Sequence, residues 1–185
     1  MKTHKLAFVD LETTGLDPFR HEIIEIGIVI AMQKTDESGR RHIVNMSEHN
    51  IQLKPTHIET ADPKSLEVIH FTERDWSAAV SQSEGLTQVL HILDGAVFIA
   101  QNVGFDWAFL QKAGNDYGIN FDAHVHYHKL DLASMAFGKL YHEPKLIKYS
   151  LREMTDYFGV INANAHAALS DARATSEVCK KLLEL

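Results

Sequence analysis

The chain has little with which to build an extracellular or membrane protein. A single cysteine, Cys179, excludes any disulfide framework within the chain. Cys179 falls in a helical pattern near the C-terminus, where a buried structural thiol is expected. No apolar run reaches the length of a membrane span. Only four apolar residues precede Asp10, too few for a signal-peptide core. A reducing cytoplasmic location is therefore expected, with no membrane contact. Repeats, low-complexity tracts and linkers are also missing. An excess of positive charge is absent too: 18 basic residues face 25 acidic ones, a net charge of −7. That excludes a protein that coats duplex nucleic acid and leaves room only for a small, local contact. Two bound divalent cations would offset four of those negative charges.

What remains suits one domain, residues 1–185, with a sizeable core; 45% of residues are hydrophobic and 23% charged. Short buried strands are expected at Lys5–Asp10, Glu22–Gln33 and His42–Leu53. They are joined closely enough for an antiparallel meander. A short helix should follow over Pro63–Phe71. Leu86, Val89, Leu90 and Leu93 then share one helical face in Ser83–Gly95, with Gly95 placed to end that helix. Ala96–Ala100 reads as a strand and Val103–Gly118 as a helix. His124–Leu130 reads as a further strand, followed by a helix from about Asp131. Ser150 and Glu153 form a capping-box pattern opening the helix Ser150–Gly159. Ala168–Leu185 closes the chain as a helix. These elements imply a mixed α/β sheet, antiparallel first and parallel later, with helices packed on it.

Four acids stand out. Asp10 and Glu12 sit two apart at the end of the first strand and so share a face. Asp106 lies early in the helix after Ala96–Ala100. Asp171 lies in the last helix, five residues after His166. Alone, each has an ordinary explanation: a solvated strand end, or an acid favoured at a helix N-terminus. Together they form an expensive like-charge cluster, a cost that divalent cations remove. Carboxylate oxygens suit Mg²⁺ or Mn²⁺. A pair of such ions can stabilise in-line displacement at phosphorus, with a neutral histidine taking a proton from water.

The stretches FVDLETTGLDP (Phe8–Pro18), FIAQNVGFDWAFL (Phe98–Leu110) and HAALSDARAT (His166–Thr175) resemble the three motifs of the DEDDh family of 3′–5′ exonucleases. Two intervening segments, KLDLASMA (Lys129–Ala136) and YSLREMTDYFG (Tyr149–Gly159), resemble that family as well. The likeness spans nearly the whole chain. Ala167 stands where the sister subclass would carry a tyrosine.

The resemblance implies a ribonuclease H-like mixed five-stranded sheet flanked by helices. It implies two Mg²⁺ or Mn²⁺ ions held by Asp10, Glu12, Asp106 and Asp171, with His166 as general base. Thr13, Thr14, Gly15 and Leu16 would cradle the terminal nucleotide, with Asn102 and Phe105 supporting it. The substrate would be a single-stranded 3′ end, DNA ahead of RNA, releasing nucleoside 5′-monophosphates. An RNA-trimming exoribonuclease is the alternative. A non-catalytic nucleic-acid-binding module on the same fold and an unrelated metal-dependent phosphohydrolase rank behind it. The chain ends directly after its last helix, which points to an enzyme acting alone, with a polymerase or a second copy as other partners.

Three further features call for a structural answer. His124, His126 and His128 would share one face of an edge strand; a zinc site there would lack a fourth ligand. Trp107, Phe19 and Tyr149 are aromatics that could stack on bases. Arg20, Lys145 and Lys148 are cations that could meet phosphates.

Overall fold

A computed structural model describes residues 4–72 and 76–185. Five strands form one sheet: β1 (Lys5–Thr13), β2 (Ile23–Thr35), β3 (Arg41–Gln52), β4 (Val97–Ala100) and β5 (Lys129–Asp131). Their spatial order is β3-β2-β1-β4-β5. β1–β2 and β2–β3 pair antiparallel, whereas β1–β4 and β4–β5 pair parallel. The expected mixed sheet is present. Its direction switches at β1, and such switch points are where open α/β sheets place ligands.

Among the described residues six α-helices accompany this sheet: α1 (Pro63–Val68), α2 (Gln82–Leu93), α3 (Val103–Asp116), α4 (Leu132–Leu140), α5 (Leu151–Phe158) and α6 (Ala168–Glu184). Strand alternation sorts the core into two faces. Ala7, Val9 and Leu11 of β1 join Ile26, Ile28 and Ile30 of β2 under α2 and α3. Leu6 and Phe8 join Val29 and Ala31 against α4, α5 and α6. By the same period, Asp10 and Glu12 continue the α6 face, as do Glu25 and Gly27 on β2.

The first strand is longer than the sequence suggests. Its pairing with β2 carries on to Thr13, opposite Ile23. Asp10 and Glu12 therefore sit on a fixed ladder, and the strand does not end at them. β4 stops much earlier, pairing only with Leu6–Phe8. That difference leaves one edge of β1 open beside both acids.

The expected strand over His124–Leu130 is a correction. Only Lys129–Asp131 pairs with β4. The amides of His124 and Val125 bond to Phe121 O in a tight turn, and His126 N reaches Ala96 O. These donors are used before the ladder begins. His124 pairs with Asp94, while the ring of His126 stacks on Tyr127. The three imidazoles do not form a strand face, and no group of metal-ligating side chains among the described residues includes them. No helix among the described residues is long and apolar enough to cross a membrane.

Helix starts follow local chemistry. Ser81 and Ser150 cap α2 and α5, and Ser150 Oγ also meets Glu153 in the expected capping box. Asp131 serves two helices. One carboxylate oxygen accepts from Ser134 N at the start of α4, and the other accepts from Val103 N at the start of α3. Burial alone would raise its pKa, but the bonds from Ser134 and Val103 hold it below the usual aspartate value. Such a group stabilises the fold above the ordinary aspartate pKa, and that support is lost as pH falls through the depressed folded value. We expect Asp131→Ala to cost about 2 kcal/mol near neutral pH. In urea denaturation the gap to the parent should narrow on acidification; a gap unchanged down to about pH 2 would contradict this linkage.

Candidate active site

The four sequence-selected acids arrive from three elements. β1 supplies Asp10 and Glu12 on one face, α3 supplies Asp106 in its first turn, and α6 supplies Asp171 in its first turn. Each helical acid lies where the helix dipole favours negative charge. The Leu11 amide of β1 lies where it favours the charged form of the Asp106 carboxyl. That amide lies on the stretch of β1 beyond the end of β4.

The acids act on one another. The Asp10 carboxyl is pushed well above the ordinary aspartate range, first by burial, then by the charges of Asp106, Asp171, Glu12 and Glu25. Glu12 is pushed up to about 8, first by burial, then by Asp171 and Glu25. Asp106 is also raised, burial outweighing the amide bonds it accepts. Among the described residues no lysine or arginine forms an ion pair with any of the four.

His166 completes the cluster. One ligand atom each from Glu12, His166 and Asp171 lie within 4.8 Å of one another. The imidazole sits in an exposed loop, and its residue adopts φ +66. Asn102, at the start of α3, adopts φ +61. Left-handed backbone is uncommon outside glycine and often marks a functional constraint. The His166 loop is pinned by Asp171, which accepts from His166 N (3.1 Å) and from Asn162 Nδ2 (2.5 Å). Ser170 Oγ in turn bonds Asn162 Oδ1 (2.7 Å).

The loop after Glu12 is built inward. Thr13 Oγ1 donates to Gly15 O, and Thr14 Oγ1 accepts from Glu22 N. Both hydroxyls are engaged in shaping the loop. Gly15 lies under the His21 ring, where a Cβ would come within 2.5 Å. Leu16, in contrast, is 76% exposed. Asn102 is exposed, and its side chain makes no cap to α3. Phe105 is half-buried and packs on Phe109 at 4.8 Å between ring centres.

Trp107 is not free to stack on a base. It meets Phe98 edge-to-face and carries Lys129 Nζ 4.1 Å above its ring. Tyr149 is also partly buried, against Phe137. Phe19 is 81% exposed, and Arg20, Lys145 and Lys148 are on the surface. A cleft of about 340 Å³ between the Pro18–Ile23 loop and α3 includes Phe19 and Arg20 but none of the acids.

Two site residues escape sequence reasoning. Glu25 is buried on β2 directly across from Glu12, accepting from Asn50 Nδ2 and from Ala168 N. Its one sequence signal is a charge inside an isoleucine-rich strand. Asn162 holds Asp171, and nothing in its own segment announces that.

A donor set of carboxylates and one imidazole fits a hard divalent cation. Among the described residues, Glu12, His166 and Asp171 bring their ligand atoms within reach of one ion, and Asp10 and Asp106 act on the cluster through their charge.

Comparison with known proteins gives the same direction. Residues 7–179 match the RNase T family, described as exonuclease. The chain is 31% identical over 178 residues to a DNA polymerase III of the PolC type from Thermotoga maritima, covering 96% of this chain and 12% of that protein. It is 30% identical over 173 residues to the 3′–5′ exonuclease DinG of Staphylococcus saprophyticus, covering 93% of this chain and 17% of that protein. The chain thus spans under a fifth of either relative. Among solved structures, E. coli exonuclease I in complex with a dT13 oligonucleotide aligns with a TM-score of 0.77 at 18% identity, over 97% of this chain and 40% of that one. A zinc-bound E. coli exonuclease I–single-stranded DNA complex aligns with a TM-score of 0.79 at 17% identity, over 99% and 42%. At these identities the structures establish the fold.

The raised carboxyls have a consequence for the cation-free protein. A group whose folded pKa is raised adds stability that is complete below its unfolded value, here 4.5 for Glu12, and is lost as pH rises through about 8. In EDTA, the protein should melt at a lower temperature at about pH 9 than at about pH 6, and Glu12→Gln should flatten that fall. Equal pH dependence in parent and variant would contradict the electrostatic picture.

Proposed function

The chain belongs to the RNase T exonuclease family, of the DEDD type, and on that premise we propose that residues 1–185 form one domain that hydrolyses single-stranded nucleic acid from its 3′ end. The observation carrying this reading is the convergence of Glu12, Asp171 and His166 within 4.8 Å, beside Asp10 and Asp106. DNA is the preferred substrate: the polymerase relative and the oligonucleotide-bound exonuclease I are both DNA proteins by name.

Asp10, Glu12, Asp106 and Asp171 would hold two Mg²⁺ or Mn²⁺ ions. When bound, such a pair supplies positive charge to the phosphate and to the oxygens that attack and leave it. The remaining chemistry belongs to side chains of this protein. His166 takes a proton from the attacking water, with the Glu12 and Asp171 carboxylates beside the resulting imidazolium. The water oxygen forms the new bond to phosphorus as the 3′-oxygen of the preceding nucleotide departs. A nucleoside 5′-monophosphate is released. The Thr13–Leu16 loop, shaped by its own hydroxyl bonds, offers Leu16 as an apolar contact to the terminal base. Asn102, exposed at the start of α3, is placed as a polar contact to the same nucleotide, and Phe105 holds α3 in place behind it. Five functional side chains in place favour an enzyme over a binding module on the same fold.

Digestion of 5′-labelled single-stranded DNA with Mg²⁺ or Mn²⁺ should give a descending ladder that EDTA abolishes, and a single internal cut would contradict the proposal. We expect His166→Ala to lower kcat about 10²- to 10⁴-fold with KM changed little. A matched RNA cut faster than the DNA would make the protein an exoribonuclease.

A further inference from the structure

We propose that Glu25 and Gly27 are positioning residues that seat the first turn of α6, and with it Asp171 and the His166 loop, against Asp10 and Glu12. The inference rests on the proposed hydrolytic site and adds two residues to it that make no contact with substrate.

The register of β1 and β2 places Glu25 opposite Glu12 and Gly27 opposite Asp10. An Asp-x-Glu on one strand thus faces a Glu-x-Gly on its neighbour. All four residues project to the α6 face, as set by Leu6 and Phe8 on β1 and Val29 and Ala31 on β2. At Gly27 the backbone of α6 comes down onto the strand. A Cβ there would lie 2.1 Å from Ala168 C, 2.2 Å from Ala168 O and 2.3 Å from Leu169 N. No side chain fits without moving the helix. At Glu25 the approach is fixed by a bond: Oε2 accepts from Ala168 N at 3.3 Å, and Oε1 accepts from Asn50 Nδ2 at 2.8 Å.

Ala168 is the first residue of α6, and its N-cap, Ala167, has no side chain able to cap the helix. Glu25 answers one of the amide groups left open there, in place of a local cap. It does so from a position 143 residues earlier in the chain. Asp171 lies one turn after Ala168 and His166 two residues before it. A displaced first turn would carry both away from Glu12. A carboxylate opposite Glu12 adds to the repulsion that Glu12 already bears. The bond from Ala168 N is what this carboxylate supplies in return.

Positioning can be separated from charge with two substitutions. Glu25→Gln removes the charge but keeps the length and an oxygen for Ala168 N; the Asn50 amide can turn to suit the other end. Glu25→Asp keeps the charge but is one carbon too short to hold both partners. We expect Glu25→Asp to lower kcat about tenfold to a hundredfold with KM within roughly twofold, and Glu25→Gln to stay within roughly threefold of the parent. Mn²⁺ binding to each protein alone, followed by electron paramagnetic resonance, should show the same order, with Glu25→Asp weakened about tenfold or more. Gly27→Ala should resemble Glu25→Asp where circular dichroism shows it folded; the Glu25 pair carries the test if it is not. The reverse order, with Asp active and Gln impaired, would assign Glu25 an electrostatic role and overturn the proposal. So would three variants that melt earlier while keeping kcat and Mn²⁺ affinity. A parent protein that binds Mn²⁺ but cuts no nucleic acid would refute the proposed function, and the Mn²⁺ series would still decide the role of Glu25.

Discussion

Mutual repulsion among clustered, partly buried carboxylates is the constraint around which this fold is arranged. Asp10, Glu12, Asp106 and Asp171 meet where water is scarce, and no basic side chain among the described residues pairs with them. Each raises the energy of the others. Folding can hold such a group together only by fixing each member through its backbone. β1 does this by pairing with β2 as far as Thr13, so that Asp10 and Glu12 sit on a rigid ladder. α3 does it by presenting Asp106 in its first turn, where the Leu11 amide of β1 favours the charged carboxylate. α6 does it through the Asn162 and His166 donors on Asp171.

The mixed topology makes that meeting possible. Because β4 stops opposite Phe8, the far half of β1 has an open edge that the first turn of α3 can reach. Because α6 packs on the face of Leu6 and Phe8, its first turn lands beside the acids that continue that face. Two helix N-termini, both suited to anions, converge on one strand end. Asp131 then couples the elements behind them, since one carboxylate opens both α3 and α4.

Much of this was legible in the sequence, because it depends on local rules. Alternation puts Asp10 and Glu12 on one face, and the capping box at Ser150–Glu153 announces α5. The stretch HAALSDARAT, by its resemblance to the family's third motif, marks His166 and Asp171. Local rules stop where distant partners decide. The histidines of His124–His128 alternate like a strand, yet their amides are used by a turn onto Phe121 and Ala96. Trp107 sits next to a site acid, yet Phe98 and Lys129 enclose it. Glu25 looked like one charge in a buried strand; only its bond to Ala168, far along the chain, gives it meaning.

The most direct test of the account is to count protons when a cation binds. Mn²⁺ would be titrated calorimetrically into metal-free protein near pH 7, in buffers of different ionisation heat. Carboxyls raised by burial and by one another's charge should surrender protons to the incoming cation, so the account predicts net proton release. Binding with no proton release, or no binding at all, would contradict the claim that these acids are held together for a divalent ion.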